Sequence, residues 1–120
     1  MARTSLTVTT ALGPYGDYST ANAADLTMAA ADVGNGNQFV SSGRDLLVAY
    51  NSGGSPYYVT VSSVADPYGR TGDITQYDVG AGEYAVFGPF KRPGWIQTDG
   101  YVYVDAENAA VYLGVVALPA

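Results

Sequence analysis

Turn signals punctuate this chain about every ten residues, and the stretches between them are short and alternate apolar with polar. That spacing admits strands and excludes helices of several turns. Gly34-Asn35-Gly36-Asn37 supplies residues that tolerate the positive φ of a tight hairpin. Asn51-Ser52-Gly53-Gly54-Ser55-Pro56 is a loop, and Gly80-Ala81-Gly82 and Asp99-Gly100 are further breaks. Asp66-Pro67-Tyr68-Gly69 has type I turn chemistry: Asp caps the first position, Pro presets φ at the second, and Gly closes. Residues 57–64 alternate most clearly, with Val59 and Val61 on one face and Tyr58, Thr60 and Ser62 on the other. Residues 74–79, 84–87, 95–98, 101–105 and 110–118 read as further strands. Residues 46–50 are continuously apolar, as in a central strand covered on both faces. Residues 26–31 fit a strand or one short helix, and the weak alternation of Leu26, Met28 and Ala30 favours the strand. No stretch sustains a 3.6-residue period, and no internal repeat is present. The predicted fold is all-β: a single-domain antiparallel β-sandwich of about eight strands.

Residues 1–24 differ from the rest. Ser5-Leu6-Thr7-Val8-Thr9-Thr10 alternates like a strand, Gly13-Pro14-Tyr15-Gly16-Asp17 breaks it, and the following run is small and polar. Two readings fit: an extended arm and linker preceding a sandwich over 25–120, or an edge strand of the main sheet. Leu6 and Val8 are the residues an arm offers to a neighbour.

Almost nothing in the chain can do chemistry. There is no His and no Cys. Acid–base catalysis loses its usual group, and thiolate metal sites, disulfides and cysteine nucleophiles go together. The carboxylates Asp73, Asp78, Glu83, Asp99, Asp105 and Glu107 sit mostly in or beside turns, where Asp caps its own backbone. Asp32, Asn35 and Asn37, or Asp66 and Asp73, lack the spacing and the closing bidentate Glu of a calcium loop. Gly34-x-Gly36 and Gly80-x-Gly82 lack the context of a phosphate loop. No catalytic residue, cofactor or metal is expected. Lys+Arg number 5 against 11 Asp+Glu, a net charge of −6 that argues against a nucleic-acid partner. No apolar run reaches the roughly 18 residues of a membrane span, and the first ten residues lack a secretory apolar core. The expectation is a complete, soluble chain made in the cytosol, without membrane contact.

Tyr is the compositional outlier, at 11 residues. It offers a large rigid contact area with a polar tip, and it is enriched at interfaces. Tyr101 and Tyr103 share one face of a strand whose other face is Val102 and Val104; with the valines inward, the tyrosines face out. Tyr57-Tyr58, Tyr15 and Tyr18 add further candidates. The candidate interface residues are therefore Leu6, Val8, Tyr15, Tyr18, Tyr57, Tyr101 and Tyr103. The alternative role for several tyrosines is the core edge, with only the hydroxyl at the surface. Phe90 and Trp95 are expected to plug one end of the sandwich.

Three stretches carry a resemblance. They are Ser42-Gly43-Arg44-Asp45-Leu46-Leu47-Val48-Ala49-Tyr50-Asn51-Ser52-Gly53 with Tyr58-Val59-Thr60-Val61; Ala81-Gly82-Glu83-Tyr84-Ala85-Val86-Phe87-Gly88-Pro89-Phe90; and Asp99-Gly100-Tyr101-Val102-Tyr103-Val104 followed by 110–119. In this order they resemble a family of small all-β head decoration (cement) proteins of tailed bacteriophages. The likeness covers residues 42–119. It implies a jelly-roll sandwich on the outer surface of a capsid, with the major capsid protein as partner and a homotrimer at three-fold sites. A second expectation, from the tyrosines, is a module that binds carbohydrate or a host surface; a tail or head–tail component is a third.

Overall fold

Alternating burial organises the strands. The structure, a computed structural model, describes residues 3–11, 24–65, 68–91 and 94–118. The strands are β1 (Thr4–Ser5), β2 (Val8–Thr10), β3 (Ala29–Ala30), β4 (Asn37–Val40), β5 (Asp45–Asn51), β6 (Tyr57–Ser62), β7 (Ile74–Val79), β8 (Tyr84–Phe87), β9 (Tyr101–Ala106) and β10 (Val111–Ala117). One sheet runs β1-β4-β9-β6-β7 and the other β2-β10-β5-β8, with β3 also paired to β10. Every second side chain of β5, β6, β9 and β10 is buried between the sheets: Leu47 and Ala49, Val59 and Val61, Val102 and Val104, Val111, Leu113 and Val115. Each such Val or Leu contributes about 1.5–3 kcal/mol of transfer free energy. This is the expected β-sandwich.

The antiparallel pairings nest. β6 pairs β7, β5 pairs β8, and β4 pairs β9, as if one long hairpin had been rolled. Rolling then brings β9 against β6 and closes the first sheet. This nesting is the pairing logic of a jelly roll. β10 extends the second sheet by pairing with β5 along its whole length.

The described N-terminal residues are edge strands of this sandwich rather than a free arm. β1 runs parallel to β4, and β2 runs parallel to β10. The segment therefore crosses from one sheet to the other, and Leu6 at the crossing is buried in the core. Amides of Thr4, Leu6 and Ala11 bond the carbonyls of Gly36, Gln38 and Ala117 at 3.0, 2.7 and 2.8 Å. Arg3 anchors the start, pairing with Asp105 at 3.0 Å and lying 4.5 Å from the centre of the Tyr103 ring. Burial of Leu6 and these backbone bonds favour docking within the chain. Tyr15 and Tyr18 lie outside the described residues.

Two strand expectations differ in detail. Only Ala29 and Ala30 of 26–31 pair; residues 26–28 instead lie over the second sheet, where a Cβ on Gly114 would stand 2.5 Å from Met28 Sδ. Residues 95–98 form turns, with Trp95 N–H bonded to the Lys91 carbonyl at 3.2 Å and Gly100 N–H to the Gln97 carbonyl at 2.9 Å. Those turns bring the Trp95 ring edge-on to Phe90, centroids 5.2 Å apart, and Phe90 meets Phe39 at 6.0 Å. The aromatic plug is thus formed by turns and not by a strand.

Candidate functional site

The outer face of the second sheet is apolar. Strand register places Tyr112 opposite Tyr50 and Tyr50 opposite Tyr84, a row of three tyrosines across β10, β5 and β8. The Tyr50 and Tyr84 rings stack at 4.4 Å with 23° between planes. The next row is Gly114, Val48 and Val86, and the third pairs Val116 with Leu46. None of these eight positions carries a charge. Tyr84, Val86 and Tyr112 are 67%, 62% and 38% exposed. The apolar run of β5 explains the face: one set of its side chains fills the core and the other set lies here. Leu26, Thr27 and Met28 lie over the Gly114 position.

The outer face of the first sheet carries the charged groups that the second lacks. Arg3 bridges Asp105 and covers Tyr103. The Tyr103 hydroxyl donates to Asp99 Oδ2. That bond holds the Asp99 carboxyl below its ordinary pKa and pushes the Tyr103 phenol up. Gln38, Thr60 and Ser62 share this face with Val40, Tyr58 and Tyr101.

The residues singled out in the sequence are not brought together. Tyr101 and Tyr103 point outward as expected, but on this sheet. Val8 is exposed on β2, Tyr57 packs against the core, and Leu6 is inside it. The row that the sequence reading missed is Tyr50, Tyr84 and Tyr112. Its one available signal was the apolar run 46–50, which announces two apolar faces for a single strand.

The carboxylates serve the backbone. Asp45, almost wholly buried, accepts from Ser42 N–H at 3.0 Å and Ser42 Oγ at 2.6 Å. Asp73 accepts from Ser63 N–H and Oγ at 2.7 and 2.6 Å, and the hydroxyl bond, the larger effect, lowers its pKa. Asp32 is lowered by the Thr4 hydroxyl and then by Asn35. Among the described residues no three acidic side chains converge as metal ligands. A shallow depression of about 220 Å³ lies between Ser63, Arg70 and Trp95, smaller than the roughly 300 Å³ at which ligand pockets begin.

The chain matches no family model, no curated protein and no solved structure.

Proposed function

We propose that this chain is a structural virion protein, a bacteriophage capsid decoration (cement) protein that binds the outside of the head and stabilises it. Two things support the reading: the resemblance over residues 42–119, and the uncharged Tyr–Val face of the second sheet, which is the observation that carries it. Contiguous apolar surface of this kind marks a contact site, and tyrosine is favoured there. In this arrangement the second sheet meets the major capsid protein, while the first sheet, with its charged groups, faces solvent. The acidic net charge keeps an abundant protein soluble. Three copies at a three-fold site, as the resemblance implies, are arranged by the shell itself.

The test is co-sedimentation of the purified protein with undecorated heads of the phage that carries its gene. Wild-type protein is expected in the pellet. Tyr112→Asp places a charge in the middle of the docking face and weakens binding about 30-fold or more, the size of an interface hot spot. Wild-type protein that stays in the supernatant sinks the reading. The stacked Tyr50–Tyr84 platform favours a second reading, sugar binding. Valine and glycine beside it offer no hydrogen bonds to hydroxyls, so a glycan array is expected to be silent; a clear hit moves the protein to that class.

A further inference from the structure

The β8 edge points to a second copy of this chain. Asn51 N–H bonds the Glu83 carbonyl at 3.0 Å, and Ala49 and Leu47 lie opposite Ala85 and Phe87 in the same register. Hydrogen-bonded pairs alternate along an antiparallel ladder. Ala85 and Phe87 therefore bond β5, and the N–H and C=O groups of Tyr84 and Val86 point away from it. β8 ends its sheet, so among the described residues these four groups have no strand beside them.

The other edges are guarded. The first sheet otherwise ends in β1, only two residues long, and the second in β2 and β3, of three and two residues, too short to template a further strand. On β7 the pairing slips by one residue, Gln76 is left-handed at φ 49°, and Thr60 Oγ1 accepts its amide at 3.0 Å. A bulge with an exposed Asp78 beside it blocks strand addition. β8 has none of these devices. Tyr84-Ala85-Val86-Phe87 has no charge, no proline and no shift in register. The Glu83 carboxylate beside it folds back over Gly80 of its own turn.

We propose that two copies join β8 to β8, antiparallel about a two-fold axis through Ala85. The segment is self-complementary in that register. Tyr84 of one copy faces Val86 of the other and the reverse, and four backbone hydrogen bonds form. Two small Ala85 residues meet at the axis on the core side. On the outer face each aromatic ring gains a β-branched neighbour, a favourable cross-strand pair. The two apolar faces become one surface across a six-stranded core of β10-β5-β8 and its symmetry mate. This pairing does not depend on the capsid reading. If that reading holds, the two-fold joint ties neighbouring attachment sites together.

Light scattering on the full chain across a dilution series tests it. Two copies of a 12.5 kDa chain are expected at high concentration, falling to one on dilution. Val86→Pro removes an amide that β5 does not use, so the fold survives as judged by its melt and the mass stays at one copy. The Lys pair Tyr84→Lys/Val86→Lys sets like charges opposite each other across the joint and gives a monomer. The pair Tyr84→Glu/Val86→Lys sets Glu opposite Lys and restores the dimer. A wild-type chain that is monomeric at every concentration, or trimeric, overturns the proposal. So does a Val86→Pro dimer, or a Glu/Lys variant that stays as monomeric as the Lys/Lys one.

Discussion

Asn51 ties the two sheets together from inside the core, and its replacement tests that reading. The side chain is fully buried at the end of β5. Its Nδ2 donates to the Val79 carbonyl on β7 at 2.9 Å and to the Ser55 carbonyl at 2.7 Å, and its Oδ1 accepts the Gly53 amide at 2.9 Å. Asn51→Leu keeps the volume and removes three hydrogen bonds. At about 1 kcal/mol net per bond the loss is about 3 kcal/mol. For a domain of this size that lowers the melting temperature by roughly 10 °C. Asn51→Asp adds a diagnostic. It sets a carboxyl against two carbonyl oxygens in a dry site, which raises its folded-state pKa above the unfolded value of about 3.9. The folded state then holds the proton more tightly. The deficit relative to wild type is smallest in acid and grows as pH rises above about 4. Thermal melts of both variants from acid to neutral pH read this directly. A leucine variant melting within about 2 °C of wild type refutes the tie, since even one lost buried bond is worth more than that. An Asp variant whose deficit does not change with pH refutes the dry site.

Three further outcomes follow from the structure. Gly88→Ala is expected to cost about 2–3 kcal/mol in a urea melt, because the residue sits at φ +122° and a Cβ would lie 2.8 Å from the Asp45 carbonyl oxygen. Leu6→Ala is expected to cost about 2–4 kcal/mol, as for any core leucine, whereas a free arm would leave the melt unchanged. Asp32, Asp73 and Asp99 all titrate below their ordinary 3.8. The stability they contribute is complete above that value and is lost as pH falls through their folded pKa values, so the melting temperature declines in acid and Asp99→Asn flattens part of the decline.

The strands were legible where one face is buried and the other is not. The patterns of 57–62 and 101–106 are those expected, because alternation is imposed by a single core. Residues 95–98 misled for the opposite reason. Trp95 and Ile96 are adjacent and both turn inward, which a strand forbids and consecutive turns allow. The N-terminal segment left two readings open, and only its partners, about thirty and a hundred residues away in sequence, decide between them. The docking row was hidden by the same distance. Tyr50, Tyr84 and Tyr112 become neighbours through the register of three strands, and register between remote strands is set by packing rather than by any local pattern. Outward Tyr101 and Tyr103 were foreseen correctly as to direction; their polar surroundings come from Arg3 and Asp99, which the strand pattern does not reveal.

The crossing of the N-terminal segment also orders events during synthesis. Val8 to Thr10 pair with Val115 to Ala117, so β2 has no partner until those residues, more than a hundred positions later, have left the ribosome. Until then Leu6 lacks its pocket, and β5 lacks the neighbour that β10 supplies along its length. The sandwich therefore closes in a late step that brings residues 8–10 to residues 115–117. Such remote pairing folds slowly, so the strands that wait for β10 stay exposed in the meantime.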